Sequence, residues 1–423
     1  MLSLQYIREN REEVIERLKK RNHQGVETID SIIAIDAKRR ESQKKLDDIL
    51  SQSKLISKEV GALMQQGKTT EAEELKNQST ALKGETSSLQ TELADLEAEQ
   101  TQLLYKLPNL PHQSVPEGKT PDDNEVVSNW GDIVDMDDAS LPHWEIAKKY
   151  NIIDLELGVK ITGAGFPIYK GKGARLQRAL INYFLDEATA QGYLEIEPPI
   201  LVNEETCYAT GQLPDKDGQM YYVTEDKLYL IPTAEVPLTN IYRDVIVAEK
   251  DFPIKMTGFT PCFRREAGSY GKDVRGLNRL HQFDKVEIVC IEHPERSYHT
   301  LEVMKDYVAG LLQNLGLSHR ILKLCAGDMG WTSALTYDLE VWSAAQRRWL
   351  EVSSVSNFET YQANRLKLRY KDTTGKTNAA HTLNGSALAL PRIVAALLEN
   401  FQTADGVVIP EVLRKYTGFD LLN

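Results

Sequence analysis

The chain has 423 residues, of which 41% are hydrophobic and 26% charged, and its formal net charge is −12. A chain of this length can bury a substantial core and is long enough for two or three domains. The net negative charge excludes attraction of a polyanion by the molecule as a whole, so any nucleic acid would have to bind a local basic surface.

The N-terminal segment and the cysteines exclude further classes. The first residues carry charges from Arg8 onward without the apolar block of a signal peptide, and no apolar run is long enough to span a bilayer. We therefore expect a soluble, cytosolic protein without a membrane partner. The chain has no CxxC pair and no metal-type histidine spacing, which argues against disulfides and a zinc site. The cysteines are expected to be reduced core thiols: Cys207, Cys262, Cys290 and Cys325.

A heptad repeat occupies the N-terminal quarter of the chain. Its seam steps alternately by three and four residues through Ala72, Leu75, Ser79, Leu82, Thr86, Leu89, Leu93, Leu96, Gln100, Leu103 and Leu107. The preceding segment has the same spacing at Leu46, Ile49, Ser53, Ile56, Val60 and Leu63. The sequence QQGKT at 65–69 supplies a glycine-centred break. This pattern predicts an antiparallel two-helix coiled-coil arm, roughly 55 Å long at 1.5 Å per residue.

The first helix of this predicted arm is the more basic. Its basic clusters are Lys38, Arg39, Arg40, Lys44 and Lys45. One interpretation is a dimerisation or spacer coil with solvated charges. The other is a basic strip that binds a phosphate backbone. The pattern alone leaves both open.

A proline-rich segment follows the heptads. Pro108, Pro111, Pro116 and Pro121 are too closely spaced for a helix or a central strand. We predict a helical domain at 1–107, a linker at 108–128 and a second domain at 129–423. Apolar periodicity in the second domain predicts helices at 172–191, 297–315 and 388–401 and strands at 227–231, 286–291, 337–341 and 349–352. The strands are not separated by regular crossover helices, so an α+β fold with an antiparallel sheet flanked by helices is expected.

Two familiar phosphate-binding motifs are incomplete. The GlyLysThr triplets at Gly67 and Gly375 lack the first glycine of a phosphate-binding loop and predict turns. GKGAR at Gly171 does not complete the GxGxxG fingerprint, so a dinucleotide site is not expected.

A basic, glycine-containing segment, FRREAGSYGKDVRG at 263–276, separates two apolar runs. It holds Arg264, Arg265, Lys272 and Arg275 together with Glu266, Gly268, Gly271 and Gly276. Guanidinium groups match carboxylate and phosphate oxygens, and glycines allow the backbone to approach them. Two antiparallel strands joined by this loop would enclose a nucleoside triphosphate. A solvated hairpin tip fits the residues equally well.

Other segments extend this interpretation through a resemblance. FRRE with its loop and strand resembles motif 2 of the class II aminoacyl-tRNA synthetases, while 383–400 resembles motif 3 and GYLEIEPPILV at 192–202 resembles motif 1. PTAEVPLTN (232–240), 263–287, TYDLEVW (336–342), EVSSVSN (351–357) and HTLNGS (381–386) are similar to the bacterial-type seryl-tRNA synthetase family. The likeness covers essentially the whole chain, including the arm.

The resemblance implies a class II catalytic domain that activates L-serine with ATP and transfers it to tRNA(Ser), with tRNA(Sec) left open. It also implies a homodimer whose motif 1 includes Pro199, Mg²⁺ bound with ATP, no zinc, and an arm that binds tRNA through Lys38, Arg39, Arg40, Lys44 and Lys45.

The implied serine-binding residues are Thr233, Ala234, Glu235, Arg264, Glu287, Asn384 and Ser386. Thr233 and Glu235 would hold the ammonium group, and Glu287 would accept the hydroxyl proton. Taken without the resemblance, Thr233 fits a capped turn and Glu287 fits a rim salt bridge.

The implied ATP-binding residues are Arg264, Arg265, Glu266, Arg275, Phe283, Glu351, Val352, Ser353, Ser354 and Arg392. Arg264 would bridge the serine carboxylate and the α-phosphate, and Phe283 and Arg392 would enclose the adenine ring. Glu351 and Ser354 would bind Mg²⁺. Outside the resemblance, a core phenylalanine and a surface arginine are ordinary alternatives.

Three positions depart from the family pattern: Gly165, Val355 and Asn364. They affect local details only, because none is expected to contact substrate. Two rival functions are an adenylating homologue that loads a carrier protein and a non-catalytic scaffold. A complete coiled-coil arm argues against the first, and intact Arg264, Glu266 and Arg392 argue against the second.

Overall fold

The computed structural model describes the chain except residues 134–139 and 268–274. It divides into two compact units. Unit 1 comprises Met1–Lys19 and His23–Pro108, and unit 2 comprises Lys20–Asn22 and Asn109–Asn423.

Unit 1 is helical. Its helices are α1 (Leu4–Glu9), α2 (Arg11–Lys20, whose last residue belongs to unit 2), α3 (Val26–Gln65) and α4 (Thr69–Leu104). Helices α3 and α4 form the predicted arm, and the chain reverses at Gly67, which has φ +73°. A positive φ suits glycine because it has no Cβ.

The seam of the arm follows the predicted heptads. Each predicted seam residue is buried or half-buried, whereas most positions between them are exposed. Leu46, Ile49, Leu89 and Leu93 form a buried cluster with Leu82 packed against it. The antiparallel coiled coil predicted from periodicity is therefore confirmed.

Unit 2 is of the α+β class. Its helices are α5 (His143–Lys149), α6 (Leu155–Ile161), α7 (Lys172–Ala190), α8 (Glu204–Thr210), α9 (Glu235–Asn240), α10 (Ser297–Asn314), α11 (Thr360–Leu366), α12 (Leu390–Asn400) and α13 (Glu411–Thr417). Its strands are β1 (Glu125–Trp130), β2 (Ile153–Asp154), β3 (Ile168–Tyr169), β4 (Leu194–Glu195), β5 (Leu201–Asn203), β6 (Tyr221–Val223), β7 (Leu228–Leu230), β8 (Ile246–Ala248), β9 (Ile254–Phe263), β10 (Gln282–Glu292), β11 (His319–Lys323), β12 (Leu335–Ser343), β13 (Arg348–Asn357), β14 (Arg369–Lys371), β15 (Thr377–Ala379), β16 (His381–Ala389), β17 (Val407–Val408) and β18 (Leu421–Leu422).

The largest sheet among the described residues has eight strands in the order β1-β11-β12-β13-β16-β10-β9-β4. Every neighbouring pair is antiparallel except β4 with β9 at one edge. The predicted antiparallel sheet is thus confirmed. Smaller sheets are formed by β5-β7-β6, β15-β14-β8, β2-β3 and β17-β18.

Helices cover one face of the large sheet. Leu180 and Phe184 of α7, Met304 of α10 and Ile393 and Leu397 of α12 are buried in the main core with apolar residues of the strands. Their spacing of three to four residues presents one apolar stripe from each helix, as sequence periodicity requires. A second buried cluster contains Val289 and Ile291, which alternate with the main-core residues of β10, together with apolar residues of α8, α9 and α11.

The proline-rich segment is ordered within unit 2. The Asn109 side chain donates to the carbonyl groups of Thr332 and Phe358 at 2.9 and 2.8 Å. Strand β1 begins at Glu125, four residues before the boundary predicted at 129. Proline prevents regular structure but not packing of an extended segment. The three-part division stays a prediction.

Within the described ranges, no helix combines the length and apolar character required to cross a bilayer.

Candidate active site

The predicted serine-binding residues Glu287, Asn384 and Ser386 lie on two neighbouring strands, β10 and β16. Glu287 of β10 lies opposite Gly258 of β9 and Ser386 of β16. Side chains alternate between the faces of a strand, so Phe283, Lys285 and Glu287 point to the same face of β10. That register brings together segments that are far apart in the sequence.

Glu287 lies at the centre of this group and is buried, with 1% of its surface exposed. Its Oε2 lies 2.6 Å from the Nζ of Lys285 and accepts a hydrogen bond from the Ser386 hydroxyl at 3.5 Å. The Thr233 side chain also hydrogen-bonds to it. Burial raises the pKa of Glu287 although Lys285 opposes the shift. The result is a buried acceptor suited to a small hydroxyl or ammonium group.

Glu235 is a second buried carboxylate beside Glu287. Its Oε1 accepts from the side-chain nitrogen of Gln362 at 2.7 Å, and Asn384 also hydrogen-bonds to it. Burial and the nearby charge of Glu287 raise the pKa of Glu235 to about 7. Lys285 pairs with Glu287, so Glu235 is the carboxylate of the two that the described residues leave without a contacting cation, and it suits a substrate ammonium group.

Thr233 and Ala234 precede Glu235 at the start of α9 and are buried. The Thr233 hydroxyl accepts from the Glu235 amide at 3.2 Å, so the capped-turn interpretation also holds. Of the predicted serine-binding set, the structure brings together Thr233, Ala234, Glu235, Glu287, Asn384 and Ser386.

Arg264 lies at the edge of this pocket. It follows the last residue of β9, donates from Nε to the Pro232 carbonyl at 3.4 Å, and its guanidinium carbon is 5.3 Å from the Phe283 ring centroid. Its charge also lowers the pKa of Glu287, against the larger effect of burial. The guanidinium group therefore stands between the acidic pocket and the aromatic ring.

The remaining residues of the basic segment have other contacts. Glu266 accepts from Arg279 at 3.0 Å. Arg265 is exposed, and its amide donates to the Gln219 carbonyl at 2.9 Å. Lys272, Gly268 and Gly271 lie outside the described residues.

Arg275 contacts α5. Its guanidinium carbon is 4.4 Å from the Trp144 ring centroid, and one of its terminal nitrogens is 3.8 Å from Glu145. These contacts differ from the predicted role beside the distal phosphates, which stays a prediction.

Arg392, near the start of α12, is held by two backbone carbonyls. Its Nε donates to Asn278 at 3.0 Å and its Nη1 donates to Glu351 at 2.6 Å. The Glu351 carboxylate is 3.6 Å from the same nitrogen. Arg392 thereby connects motif 3 with β13 and with the segment that returns from the basic loop.

Hard oxygen donors lie on β13 and β12. Asp338 is paired in register with Ser354, which hydrogen-bonds to its carboxylate. Burial and the charge of Glu351 raise the pKa of Asp338 well above its ordinary value. In the described part of the chain, Oδ1 of Asp338 is buried without a hydrogen-bond partner. Carboxylate and hydroxyl oxygens with one unsatisfied lone pair fit Mg²⁺.

Across the described residues, no group of three His, Cys, Asp or Glu side chains is placed to hold a metal ion by itself. A cation here would therefore need oxygen ligands from its substrate. Between Glu351 and Ser354, Val352 is buried and the Ser353 hydroxyl donates to the Ser386 carbonyl at 2.7 Å. The predicted role of these two residues in ATP binding stays a prediction.

The structure shows the contacts of the three residues that depart from the family pattern, Gly165, Val355 and Asn364. A Cβ on Gly165, which has φ +82°, would lie 2.3 Å from the His281 ring, so a side chain there would require a different backbone. His281 supports this loop, because its amide donates to the Gly165 carbonyl and its ring contacts the Tyr221 hydroxyl. Val355 packs against Gly385, and the Asn364 amide donates to Thr360 at 3.4 Å.

Pro199 is exposed in the segment between β4 and β5.

On the arm, Lys38 and Lys44 are exposed. The other predicted tRNA-binding residues form ion pairs: Arg39 and Arg40 with the buried Asp36 at 3.3 and 2.9 Å, and Lys45 with Glu41 at 2.9 Å. The exposed Lys45–Glu41 pair is of the weak kind that can exchange for phosphate, whereas Arg39 and Arg40 share a buried carboxylate.

Sequence reasoning missed Lys285, Gln362 and Asp338. Lys285 could have been found, because a residue two positions before Glu287 shares its face of the strand. Gln362 and Asp338 carry no local signal, since their partners lie on other elements.

Comparison with known proteins extends over the whole chain. Residues 1–111 match the family model of the seryl-tRNA synthetase N-terminal domain, and residues 221–401 match that of the class II tRNA synthetase core domain (G, H, P, S and T). Serine–tRNA ligase from Salinibacter ruber is 51% identical over 421 residues, which are 99% of this chain and 98% of that protein.

Solved structures of seryl-tRNA synthetases also superpose on this chain over its full length. Seryl-tRNA synthetase from Pyrococcus horikoshii, crystallised with ATP, superposes with a TM-score of 0.89 at 33% identity, covering 100% of this chain and 99% of that one. The cytoplasmic serine–tRNA ligase of Naegleria fowleri, in complex with AMP, gives 0.86 at 29% identity with the same coverage. With half of its residues shared along nearly its full length with a serine–tRNA ligase, the chain belongs to the seryl-tRNA synthetase family.

Proposed function

We propose that the pocket around Glu287 activates L-serine with ATP and that the enzyme then transfers the seryl group to tRNA(Ser). In the first step a serine carboxylate oxygen bonds to the α-phosphorus of ATP, the bond from that phosphorus to the bridging oxygen breaks, and pyrophosphate leaves. In the second, a hydroxyl oxygen of the terminal tRNA ribose bonds to the seryl carbonyl carbon, the bond from that carbon to the phosphate oxygen breaks, and AMP leaves as the hydroxyl proton is released. The observation that carries the proposal is the buried Glu287, which contacts Lys285 and Ser386 beside Glu235 and Arg264.

Selection of serine follows from the polar character of that pocket. The serine hydroxyl would donate to Glu287, and the ammonium group would lie near Glu235 and Thr233. Lys285 holds the Glu287 carboxylate in place at 2.6 Å. Alanine offers no hydroxyl to Glu287, so this hydrogen bond is lost in addition to the contacts that Lys285 and Ser386 keep. An unpaired hydrogen-bonding position on a buried polar group costs about 1–3 kcal/mol, or more when the group is charged.

Arg264 would provide the main electrostatic stabilisation. Its position between the acidic pocket and Phe283 suits a guanidinium that bridges the serine carboxylate and the α-phosphate. A fixed cation there would align the reacting oxygen with phosphorus and stabilise negative charge in the transition state. Serine needs no general base, because its carboxylate is already ionised.

The other nucleotide contacts are proposed from family motifs and positions. Phe283 and Arg392 would enclose the adenine ring, Glu266 would accept from its amino group, and Arg265 and Arg275 would approach the distal phosphates. Arg392 is already held at Glu351 and Asn278, which supports a preorganised site. The ATP and AMP complexes of the two structural relatives support nucleotide binding.

We also propose Glu351 and Ser354 as the protein ligands of Mg²⁺, together with phosphate oxygens of ATP. The unsatisfied oxygen of Asp338 beside them supports a cation at this position. Mg²⁺ bound with ATP would neutralise phosphate charge and improve pyrophosphate as a leaving group.

The arm would bind tRNA. Lys38, Arg39, Arg40, Lys44 and Lys45 lie on α3, the more basic helix. A local basic strip can bind a phosphate backbone despite the net charge of −12. The match of residues 1–111 to the seryl-tRNA synthetase N-terminal domain supports this assignment.

A homodimer formed through motif 1 completes the proposal. Leu194 on the edge strand β4 is 66% exposed, and Leu201 on β5, beyond Pro199, is also exposed. Exposed apolar side chains beside a sheet edge favour a covering partner. Replacing Leu194 with Asp should yield monomers in light scattering, and an unchanged dimer would contradict this interface.

Serine-dependent exchange of pyrophosphate into ATP, measured with each of the twenty amino acids, tests the central proposal. Exchange should require serine and divalent cation. Preference for another amino acid would overturn the assignment.

A further inference from the structure

A buried histidine–carboxylate pair lies next to the returning end of the basic segment. His143, the first residue of α5, is fully buried. Its Nε2 accepts from the Leu277 amide at 2.8 Å, and its Nδ1 is 2.7 Å from Oε1 of Glu399. An amide can only donate, so Nε2 must be unprotonated and Nδ1 must carry the proton. The contacts thus require one neutral tautomer.

Glu399 on α12 fixes the orientation of this imidazole. Its carboxylate also accepts from the His143 amide at 3.0 Å, from Gln346 at 3.2 Å and from the Ser343 hydroxyl. Burial alone would raise the pKa of Glu399, but the hydrogen bonds from His143 and Ser343 hold it below its ordinary value. An ionised, fully satisfied carboxylate leaves the ring no freedom to rotate.

The backbone held by this pair leads directly to a proposed nucleotide contact. The residue after Leu277 is Asn278, whose carbonyl accepts from Arg392 at 3.0 Å and whose side chain donates to Gln346 at 2.9 Å. Gly276 packs so closely that a Cβ would lie 2.2 Å from Nε2 of His143. The 276–278 segment is therefore fixed by the imidazole, by Gln346 and by Arg392.

We propose that His143 and Glu399 are positioning residues for ATP binding. They hold the 276–278 backbone so that the Asn278 carbonyl sets the Arg392 guanidinium beside Glu351. This inference rests on the proposed function, because it assumes that Arg392 contacts the nucleotide. Neither residue touches substrate.

The test separates the two ring contacts. In His143→Asn the amide nitrogen can still donate to Glu399, but the Leu277 amide loses its acceptor. We expect the KM for ATP in serine-dependent exchange to rise about tenfold, equivalent to about 1.4 kcal/mol, with kcat and the KM for serine within about twofold of wild type. Hydrogen–deuterium exchange at the Leu277 amide should accelerate by a similar factor.

His319→Asn is the matched control. His319 is buried on β11, and its ring contacts the Leu317 carbonyl at 3.0 Å. It should lower thermal stability without changing the KM for ATP. An unchanged KM for ATP in His143→Asn, or an equal rise in the control, would overturn the positioning role.

A second variant covers failure of His143→Asn to fold. Gly276→Ala keeps both side chains of the pair, but its Cβ would lie 2.2 Å from Nε2 of His143, so the Leu277 amide has to move away from the ring. The KM for ATP alone should rise, and an unchanged KM would again overturn the role. A wild-type enzyme without serine-dependent exchange would refute the proposed function. If the Leu277 amide stays equally protected from hydrogen–deuterium exchange in both variants, His143 does not hold this backbone segment. That result would refute the positioning role independently of the kinetic measurements.

Discussion

The arm is built from contacts that follow a short repeat in the sequence, whereas the catalytic sheet is built from contacts between segments far apart in the sequence. In the arm, the seam residues lie three or four positions apart, and the cluster of Leu46, Ile49, Leu89 and Leu93 joins two neighbouring helices. In the sheet, the Glu235 partner Gln362 is 127 positions away, and Ser386 is 99 positions from Glu287. Each unit has its own core, so chemistry and tRNA binding should be separable by mutation.

The largest effect is expected from Arg264→Ala. Loss of the guanidinium beside the acidic pocket should lower kcat for serine-dependent pyrophosphate exchange by about 10²–10³-fold, the usual range for one electrostatic contact in a transition state. Because the residue belongs to unit 2 and the arm to unit 1, tRNA affinity in filter binding should stay within about twofold of wild type.

Arg296→Ala is the control for removal of a cation from the same unit. Arg296 is half exposed and pairs with the buried Glu292 at 2.9 Å. Its loss should change pyrophosphate exchange by less than about twofold, because Glu292 keeps its hydrogen bonds from the His293 amide and the Thr300 hydroxyl. Equal effects in both variants would contradict the special role of Arg264.

Shortening the arm should produce the reverse pattern. The Ser42 hydroxyl donates to Glu92 across the two helices at 2.8 Å, so removal of residues 43–91 with a short glycine-rich turn preserves the base of the hairpin. We expect tRNA charging at limiting tRNA to fall by about 100-fold or more, since Lys44, Lys45 and the distal part of the arm are lost and only Lys38, Arg39 and Arg40 of the proposed phosphate contacts remain. Pyrophosphate exchange should be unchanged. Parallel loss of both activities would show that the units are not independent.

Glu287→Ala tests selectivity within the sheet. The ratio of kcat/KM for serine over alanine should fall by about 100-fold, because the alanine side chain no longer leaves a buried acceptor unpaired. Glu287→Gln, which keeps one acceptor oxygen, should give an intermediate ratio. Unchanged selectivity in the alanine variant would remove Glu287 from the serine site.

The two regions also differ in how far the sequence predicted them. Heptad spacing predicted α3, α4 and the turn at Gly67, because coiled-coil packing is a local property. The antiparallel sheet and most of the acidic pocket were expected from motifs. The contacts of Lys285, Gln362 and Asp338 were not, since they depend on strand register and on packing between distant elements.

The pH dependence of the KM for serine tests whether Glu235 holds the serine ammonium group. Its pKa is raised to about 7, so the carboxyl group takes up a proton as the pH falls below that value. Only the ionised form attracts the serine ammonium group, and the KM for serine should therefore rise about tenfold per pH unit below about pH 7 and level off above about pH 8.

Glu235→Gln is the control for this titration. It should raise the KM for serine and abolish the dependence between about pH 6 and 8. A wild-type KM that is flat in this window would show that Glu235 does not hold the ammonium group.

The smallest effect on catalysis is expected from Leu89→Ala in the arm. Leu89 is 9% exposed, and its truncation should lower the local stability of the coiled coil by about 2–3 kcal/mol. Leu55→Ala is matched in chemistry, but Leu55 is 64% exposed, so its loss should cost little. Circular dichroism should show helix melting at a lower temperature in Leu89→Ala only. In that variant tRNA charging should fall about two- to threefold, and pyrophosphate exchange should be unchanged. Equal melting of the two variants would contradict the seam, and a loss of exchange would show that the coil supports the sheet as well as tRNA binding.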